Sequence, residues 1–323
     1  MTGESHDWAL VLAAGDGTRL RSLTTVGSGI SVPKQFCSLY GGPSLLHEAL
    51  RRARAVVPDQ RTCVVVAEQH RTWWAGALRS LPAENVIVQA KNRGTGLGIL
   101  LSLLHILTRD PKARIILLPS DQYVSQESVL TAAIKHALTR LEWRARETIL
   151  LGVRPEERDP DLGYIVPGQN DGGGAHCVAR FVEKPSLIVA NELIQAGGLW
   201  NAFIIVSTGA ALLDLFCNRF PEIVGVLSAA IRSDQNKNSA CTGVDEIYGS
   251  LPVVDFSRDI LAEQLATLRV LPVPACGWSD LGTPERVAGA LRRASRLETP
   301  ADVQEGFAYL SLAHQYERLS YAG

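Results

Sequence analysis

Alternating strand-like and helix-like patterns mark this chain as an α/β protein with a mostly parallel central sheet covered on both faces. Runs rich in Val, Ile and Leu at residues 9–14, 62–66, 86–89 and 114–118 read as buried strands. Between them, Leu45, Leu46, Ala49, Leu50, Ala53 and Val57 recur at helical spacing, as do Leu97, Leu100, Leu101, Leu104 and Leu107. Glycine or polar clusters follow three of the strands, at residues 15–17, 92–95 and 120–121. Ligands in such sheets gather beyond the carboxyl ends of the strands, so three loops are expected to meet at one edge.

The second half is more mixed. Residues 163–167 and 177–182 read as two strands joined by the QNDGGGA loop, and residues 201–206 as another. Helical segments follow from Gly209 to Ile231, then a polar loop at 233–243, a late strand at 268–273 and an Ala/Arg-rich helix at 284–296. An aromatic segment, Phe307 to Tyr316, reads as a further helix. The chain thus divides into one large domain over 8–290 and a short helical extension over 291–323, with no internal repeat.

Composition narrows the function. Of 323 residues, 46% are apolar, which supports a large core, and the formal net charge of −1 argues against a nucleic-acid binder. Cys37, Cys63, Cys177, Cys217, Cys241 and Cys276 form no CxxC pair, so neither a zinc ribbon nor a disulfide framework is indicated. The opening MTGESHDW has no apolar signal core and no long apolar span follows, so the expectation is a soluble, cytoplasmic protein that does not enter a membrane. His70, His105 and His136 belong to no metal-binding spacing, and no nucleophile elbow surrounds any serine.

Local chemistry points to an anionic ligand. The strand at 9–14 breaks into Gly15-Asp16-Gly17, where the backbone can approach a phosphate, and Thr18, Arg19 and Lys34 follow. The spacing is not that of a Walker P-loop. In LLPSDQYV, Asp121 either caps a helix starting near Gln126 or faces the phosphates through a cation. Asp280 lies in a second tight turn, GWSDLGTPE, and neither acid has an evident basic neighbour in sequence. In FVEKP, Glu183 and Lys184 form either a solvated strand end or a ligand pair. The four-residue spacing of Asp259 and Glu263 puts both acids on one helix face.

LVLAAGDGTRL followed by PKQF resembles the opening of the sugar-nucleotide pyrophosphorylases, and PKQF in particular is similar to the mannose-1-phosphate guanylyltransferases. The usual proline shortly after the arginine is missing from LRSLTTVGSGIS, and Ala90 stands where Q-P-x-N-R-G-T has proline. The resemblance implies a Rossmann-like fold of the GT-A type. It implies that the glycine loop, with Leu12, Ala13, Ala14, Gly15, Gly17 and Thr18, wraps the nucleotide while Arg19 and Lys34 contact its phosphates. By the same resemblance Gln89, Gly94 and Thr95 read the base, and Gly163, Glu183, Lys184 and Asn201 hold the sugar 1-phosphate. Asp121 and Asp280 would bind magnesium, with Arg19, Lys34, Asp121 and Lys184 as the catalytic set.

The activity implied is transfer of GMP from GTP to mannose 1-phosphate, giving GDP-mannose and pyrophosphate. Alternatives are the same chemistry with another sugar or nucleotide, and an idle regulatory homologue that only binds a sugar nucleotide. A homo-oligomer is compatible with either. Some relatives carry a fused isomerase barrel; about forty residues follow the last motif here, too few for one, so isomerase activity is not expected.

Overall fold

The computed structural model describes residues 5–17, 24, 31–39, 41–235 and 243–295. The described strands are β1 (Asp7–Ala13), β2 (Thr62–Ala67), β3 (Val86–Gln89), β4 (Arg114–Pro119), β5 (Thr148–Val153), β6 (Tyr164–Asn170), β7 (His176–Val182), β8 (Leu199–Thr208) and β9 (Leu268–Val273). They form one sheet in the order β3-β2-β1-β4-β8-β5-β9-β7-β6, and β8 also pairs with β6.

The β3-β2-β1-β4 half is parallel, with Leu10 opposite Cys63 on one side and Leu117 on the other. Helical crossovers impose that direction. The other half is mixed, which corrects the expectation of a mostly parallel sheet. β8 runs antiparallel to both β4 and β5, while β5 and β9 are parallel. The 170–176 turn is too short for a crossover, so β6 and β7 form an antiparallel hairpin. β5, a fully buried six-residue run after a charged segment, is absent from the sequence-based expectation.

Side-chain alternation sorts the strands between two cores. Ala9, Val11 and Ala13 of β1 face the helices Leu45–Arg54, Glu127–Leu141 and Leu187–Gln195. Trp8 and Leu10 face Gly94–Arg109, Gly209–Arg219 and Pro221–Gln235 on the other side. Ser44, Ser186 and Thr208 cap their helices through side-chain oxygens that accept from backbone N–H groups. The helical stretch expected from Gly209 breaks at Pro221, which opens a new helix.

The 221–235 helix extends into the tract expected as a loop; residues 236–242 lie outside the described residues, as do Cys241 and the segment Phe307 to Tyr316. No disulfide joins the described cysteines. The Pro284–Ser295 helix runs across the boundary expected at residue 290, and Leu291 is buried. No described helix is long and apolar enough to cross a membrane.

Two helices on one face are tied by a buried ion pair. Arg52 Nε and Nη2 donate to Glu127 Oε2 and Oε1 at 3.0 and 2.8 Å, with the arginine side chain 1% exposed. Removing one partner strands the other charge, whereas replacing both removes the problem. Glu127→Ala is expected to cost about 3–5 kcal/mol in denaturant unfolding. The Arg52→Met/Glu127→Leu double variant should recover most of that loss, and a double variant as unstable as the single one would contradict the assignment.

Candidate active site

The glycine turn leaves β1 at Ala13 and is fastened on two sides. Gln35 is 2% exposed, and its Nε2 donates to the carbonyls of Ala13 (3.0 Å) and Gly15 (2.7 Å). Asp16 accepts from Gln69 Nε2 at 2.6 Å and Asn92 Nδ2 at 3.3 Å, which ties the turn to loops beyond β2 and β3. Gly17 has φ +60°, and a Cβ there would lie 2.6 Å from the backbone nitrogen of Lys34. Only glycine suits that turn. Ala13 is fully buried beneath it, away from the cleft lining, while Thr18 and Arg19 lie outside the described residues.

Asp121 sits six residues before the Glu127–Leu141 helix, whose cap is Gln126, so it is not a helix cap. A two-way backbone pairing of Tyr123 with Ser279, at 2.9 Å each way, brings the segment after β4 against the segment after β9. Gln122 secures the junction: its Nε2 donates to Ala202 O, and its Oε1 accepts from Trp278 Nε1, both at 2.8 Å. The buried Lys34 ammonium lies 3.0 Å from Asp121 Oδ2 and donates to Asp280 O at 2.5 Å. Asp280 Oδ1 accepts from Gly282 N–H and from Arg286. Each acid therefore has a basic partner, Lys34 for Asp121 and Arg286 for Asp280. The reading from sequence neighbours is corrected on this point, because both partners are brought in by the fold.

The turn after β3 is held from below. Gly94, at φ +82°, passes so close to Val254 that a Cβ would lie 2.3 Å from its carbonyl oxygen. Val254 N–H donates to Arg93 O, and Gly96 N–H donates to Val254 O. Gly94 N–H donates to Asn92 Oδ1 at 3.0 Å. Thr95 Oγ1 accepts from Phe256 N–H at 3.1 Å, so this hydroxyl anchors the 254–256 segment while the residue lines the cleft. Gln89 is 3% exposed at the end of β3 and lies against Gly98, where a Cβ would come within 2.1 Å of its Nε2. Arg93 is not a solvated charge, since its guanidinium donates to Gly249 O.

On the far side, Gly163 leaves room for Glu183: a Cβ there would meet Glu183 Oε2 at 2.5 Å. Asn201 N–H donates to Gly163 O, and Asn201 Oδ1 accepts from Phe203 N–H. A register shift between β5 and β8 spans Phe203, which has φ +55° and lines the cleft. Lys184, at φ +50°, lines it too. Asp259 and Glu263 do not share a helical face, because the π-helical turn ends at Leu261. Asp259 instead accepts from Asp255 N–H and pairs with Arg258, and Glu263 lies 3.6 Å from Arg219. Asp255, four residues earlier, is the acid that reaches the cleft.

These loops enclose a cleft of about 580 Å³ at the carboxyl ends of β1, β3 and β4. Leu12, Ala14, Gly15, Gly17, Gln89, Gly94, Thr95, Asp121, Gly163, Glu183, Lys184, Asn201 and Asp280 all line it. Sequence reasoning missed Gln35, Gln122, Asp255 and Arg286. Of these, only Gln35 had a local signal, its place in PKQF.

Burial and the neighbouring Asp255 push Glu183 from the ordinary 4.5 up to about 7, against the opposing pull of Lys184 and Ser257. The folded state thus holds this proton where the unfolded chain releases it, so the stabilisation is complete below 4.5 and is lost as pH rises through about 7. Glu183→Gln should remove this dependence. The thermal midpoint of the parent should fall relative to the variant between about pH 4.5 and 7, and parallel curves would contradict the burial of this acid.

A family model described as Nucleotidyl transferase matches residues 8–295. A mannose-1-phosphate guanylyltransferase from Escherichia coli (strain K12) is 28% identical over 289 residues, covering 87% of this chain and 59% of that protein. The xanthan biosynthesis protein XanB of Xanthomonas campestris pv. campestris (strain ATCC 33913) is 29% identical over 278 residues, covering 85% and 57%. This chain therefore spans under two thirds of the length of these curated relatives. A crystal structure described as mannose-1-phosphate geranyltransferase from Thermus thermophilus superposes with a TM-score of 0.74 at 25% identity, covering 92% of this chain and 81% of that one. The fold, the cleft at its strand ends and the match across nearly the whole described chain agree: this chain belongs to the nucleotidyl transferase family.

Proposed function

We propose that this chain transfers GMP from GTP to mannose 1-phosphate, forming GDP-mannose and pyrophosphate. The supporting observation is the shared cleft into which the glycine turn, the Gln89–Thr95 turn, Asp121, Glu183, Lys184 and Asp280 all open. The names of the curated relatives favour mannose and guanine within that chemistry.

In this reading the glycine turn cradles the triphosphate with backbone N–H groups, and Gln89 offers the base an amide donor and acceptor. Lys184 takes the phosphate of the sugar 1-phosphate, while Glu183 and Asn201 accept and donate to sugar hydroxyls. One oxygen of the sugar phosphate then attacks the α-phosphorus in line. The new P–O bond forms as the bond to pyrophosphate breaks, and no protein nucleophile takes part. The protein's contribution is alignment and fixed positive charge.

Two acids on separate loops, both in contact with Lys34 and both lining the cleft, make a donor set suited to magnesium, which takes one or two carboxylates and completes its shell with water and phosphate oxygens. Asp121 and Asp280 would hold this ion, which supplies charge neutralisation for the triphosphate. Magnesium dependence is part of the proposal.

Pyrophosphate release across a panel of nucleoside triphosphates and sugar 1-phosphates tests the assignment. GTP with mannose 1-phosphate should be the preferred pair. Preference for another pair would overturn the substrates, and no release with any pair would overturn the activity.

Lys184→Ala should raise KM for the sugar 1-phosphate roughly 10- to 100-fold, the loss of one charge-assisted hydrogen bond. GTP affinity should change little, and an equal loss for both substrates would contradict the placement. Gln89→Ala should erode the preference for GTP over ATP while leaving the magnesium requirement intact. An unchanged GTP/ATP ratio would remove Gln89 from base reading.

A further inference from the structure

Asp255 lines the cleft but has no part in the reaction described above. The segment that carries it is fastened to the turn after β3 on both sides of this residue. Val254 N–H donates to Arg93 O at 3.0 Å, Gly96 N–H donates to Val254 O at 2.9 Å, and Phe256 N–H donates to Thr95 Oγ1 at 3.1 Å. The side chain is held as well: Asp255 Oδ1 accepts from Arg258 N–H at 2.9 Å and caps the Phe256–Leu261 π-helical turn. That cap engages one carboxylate oxygen, and a carboxylate can accept several hydrogen bonds.

The same residue stands beside Glu183. Of the charged groups that act on Glu183, Asp255 acts most strongly, opposed by Lys184 on the same strand end and by Arg258 on the capped turn. Gly163, having no Cβ, leaves the space that Glu183 Oε2 occupies. Two acids at one wall repel phosphate, so the ligand groups that suit this wall are hydroxyls, which carry both a proton and lone pairs. Burial and Asp255 keep the Glu183 proton in place up to about 7, so Glu183 can donate where a carboxylate only accepts.

We propose that Asp255 recognises the sugar, accepting a hydrogen bond from one of its hydroxyls beside the hydroxyl held by Glu183. The donor and the acceptor together read two hydroxyls of the ring, and the turn that faces the base fixes where the acceptor stands. The inference rests on the reading of Glu183 as a ligand of the sugar.

Calorimetric binding of GDP-mannose and of GDP to the full chain tests this, because the ratio of the two dissociation constants isolates the sugar. Asp255→Asn keeps the cap through its amide oxygen and removes the charge. It should weaken GDP-mannose binding roughly 10- to 100-fold, the loss of one charge-assisted hydrogen bond, and leave GDP binding near the parent's. Removing the charge also relieves Glu183, so the Glu183-dependent loss of stability should move below about pH 7, read by comparing Asp255→Asn with Asp255→Asn/Glu183→Gln. If Asp255→Asn does not fold, Asp255→Ser, another good cap, carries the same measurements. Equal weakening of GDP and GDP-mannose would assign Asp255 to the nucleotide and overturn the proposal, as would an unchanged ratio or an unmoved stability profile. A parent that binds GDP-mannose no more tightly than GDP would overturn the sugar pocket itself along with this proposal. A different preferred pair in the substrate panel changes the probes to that pair's nucleotide sugar and nucleoside diphosphate and leaves the test standing.

Discussion

The site depends on the buried ammonium of Lys34. It lies 3.0 Å from the Asp121 carboxylate and 2.5 Å from the Asp280 carbonyl, so one charge joins loops that leave β4 and β9 at opposite sides of β8. The Lys34 side chain is 7% exposed and that of Asp121 42%, so the pair joins a buried ammonium to a carboxylate open to the cleft. Gln35, the next residue, bonds two carbonyls of the glycine turn. A single 3₁₀ turn, Lys34–Phe36, thus couples the backbone of the glycine turn to both acids.

Around that centre the chain accepts local strain. The described non-glycine residues with left-handed backbone are Lys184, Phe203 and Leu281. The first two line the cleft and the third follows Asp280. Such conformations cost about 1–3 kcal/mol each and persist where surrounding contacts over-determine them. Here those contacts are identifiable: Phe203 N–H donates to Asn201 Oδ1, and Leu281 N–H donates to Ser279 Oγ. Strain concentrated at loops from three parts of the sequence fits a pocket whose side chains are aimed before any ligand arrives.

Strands β1 to β4 and the Gly94–Arg109 helix are legible in the sequence because their apolar runs alternate with helical spacing and end in glycine or polar breaks. The same edge made the glycine turn, the 92–95 turn and Asp121 legible as candidates, while Gln89 and Asp280 came from the family resemblance. β5, equal in length to β2 and β4, was not legible, because a continuous apolar run carries no period to single it out. The direction of β8 is likewise a tertiary outcome, set by where the chain returns after the 187–195 helix. Asp259 and Glu263 misled because four-residue spacing signals a shared face only if the helix continues, and this one closes at Leu261. Arg286 and Gln122 act through contacts that have no local pattern, and no reading of neighbours along the chain reveals them.

The central claim is direct transfer between a nucleoside triphosphate and a sugar 1-phosphate in one cleft. Exchange of radiolabelled pyrophosphate into GTP measures it most directly. The account predicts labelled GTP when GDP-mannose is present and none when the chain meets GTP and pyrophosphate alone, because no nucleotide is held covalently by the protein. Exchange without the sugar nucleotide, or no exchange with it, would contradict the account.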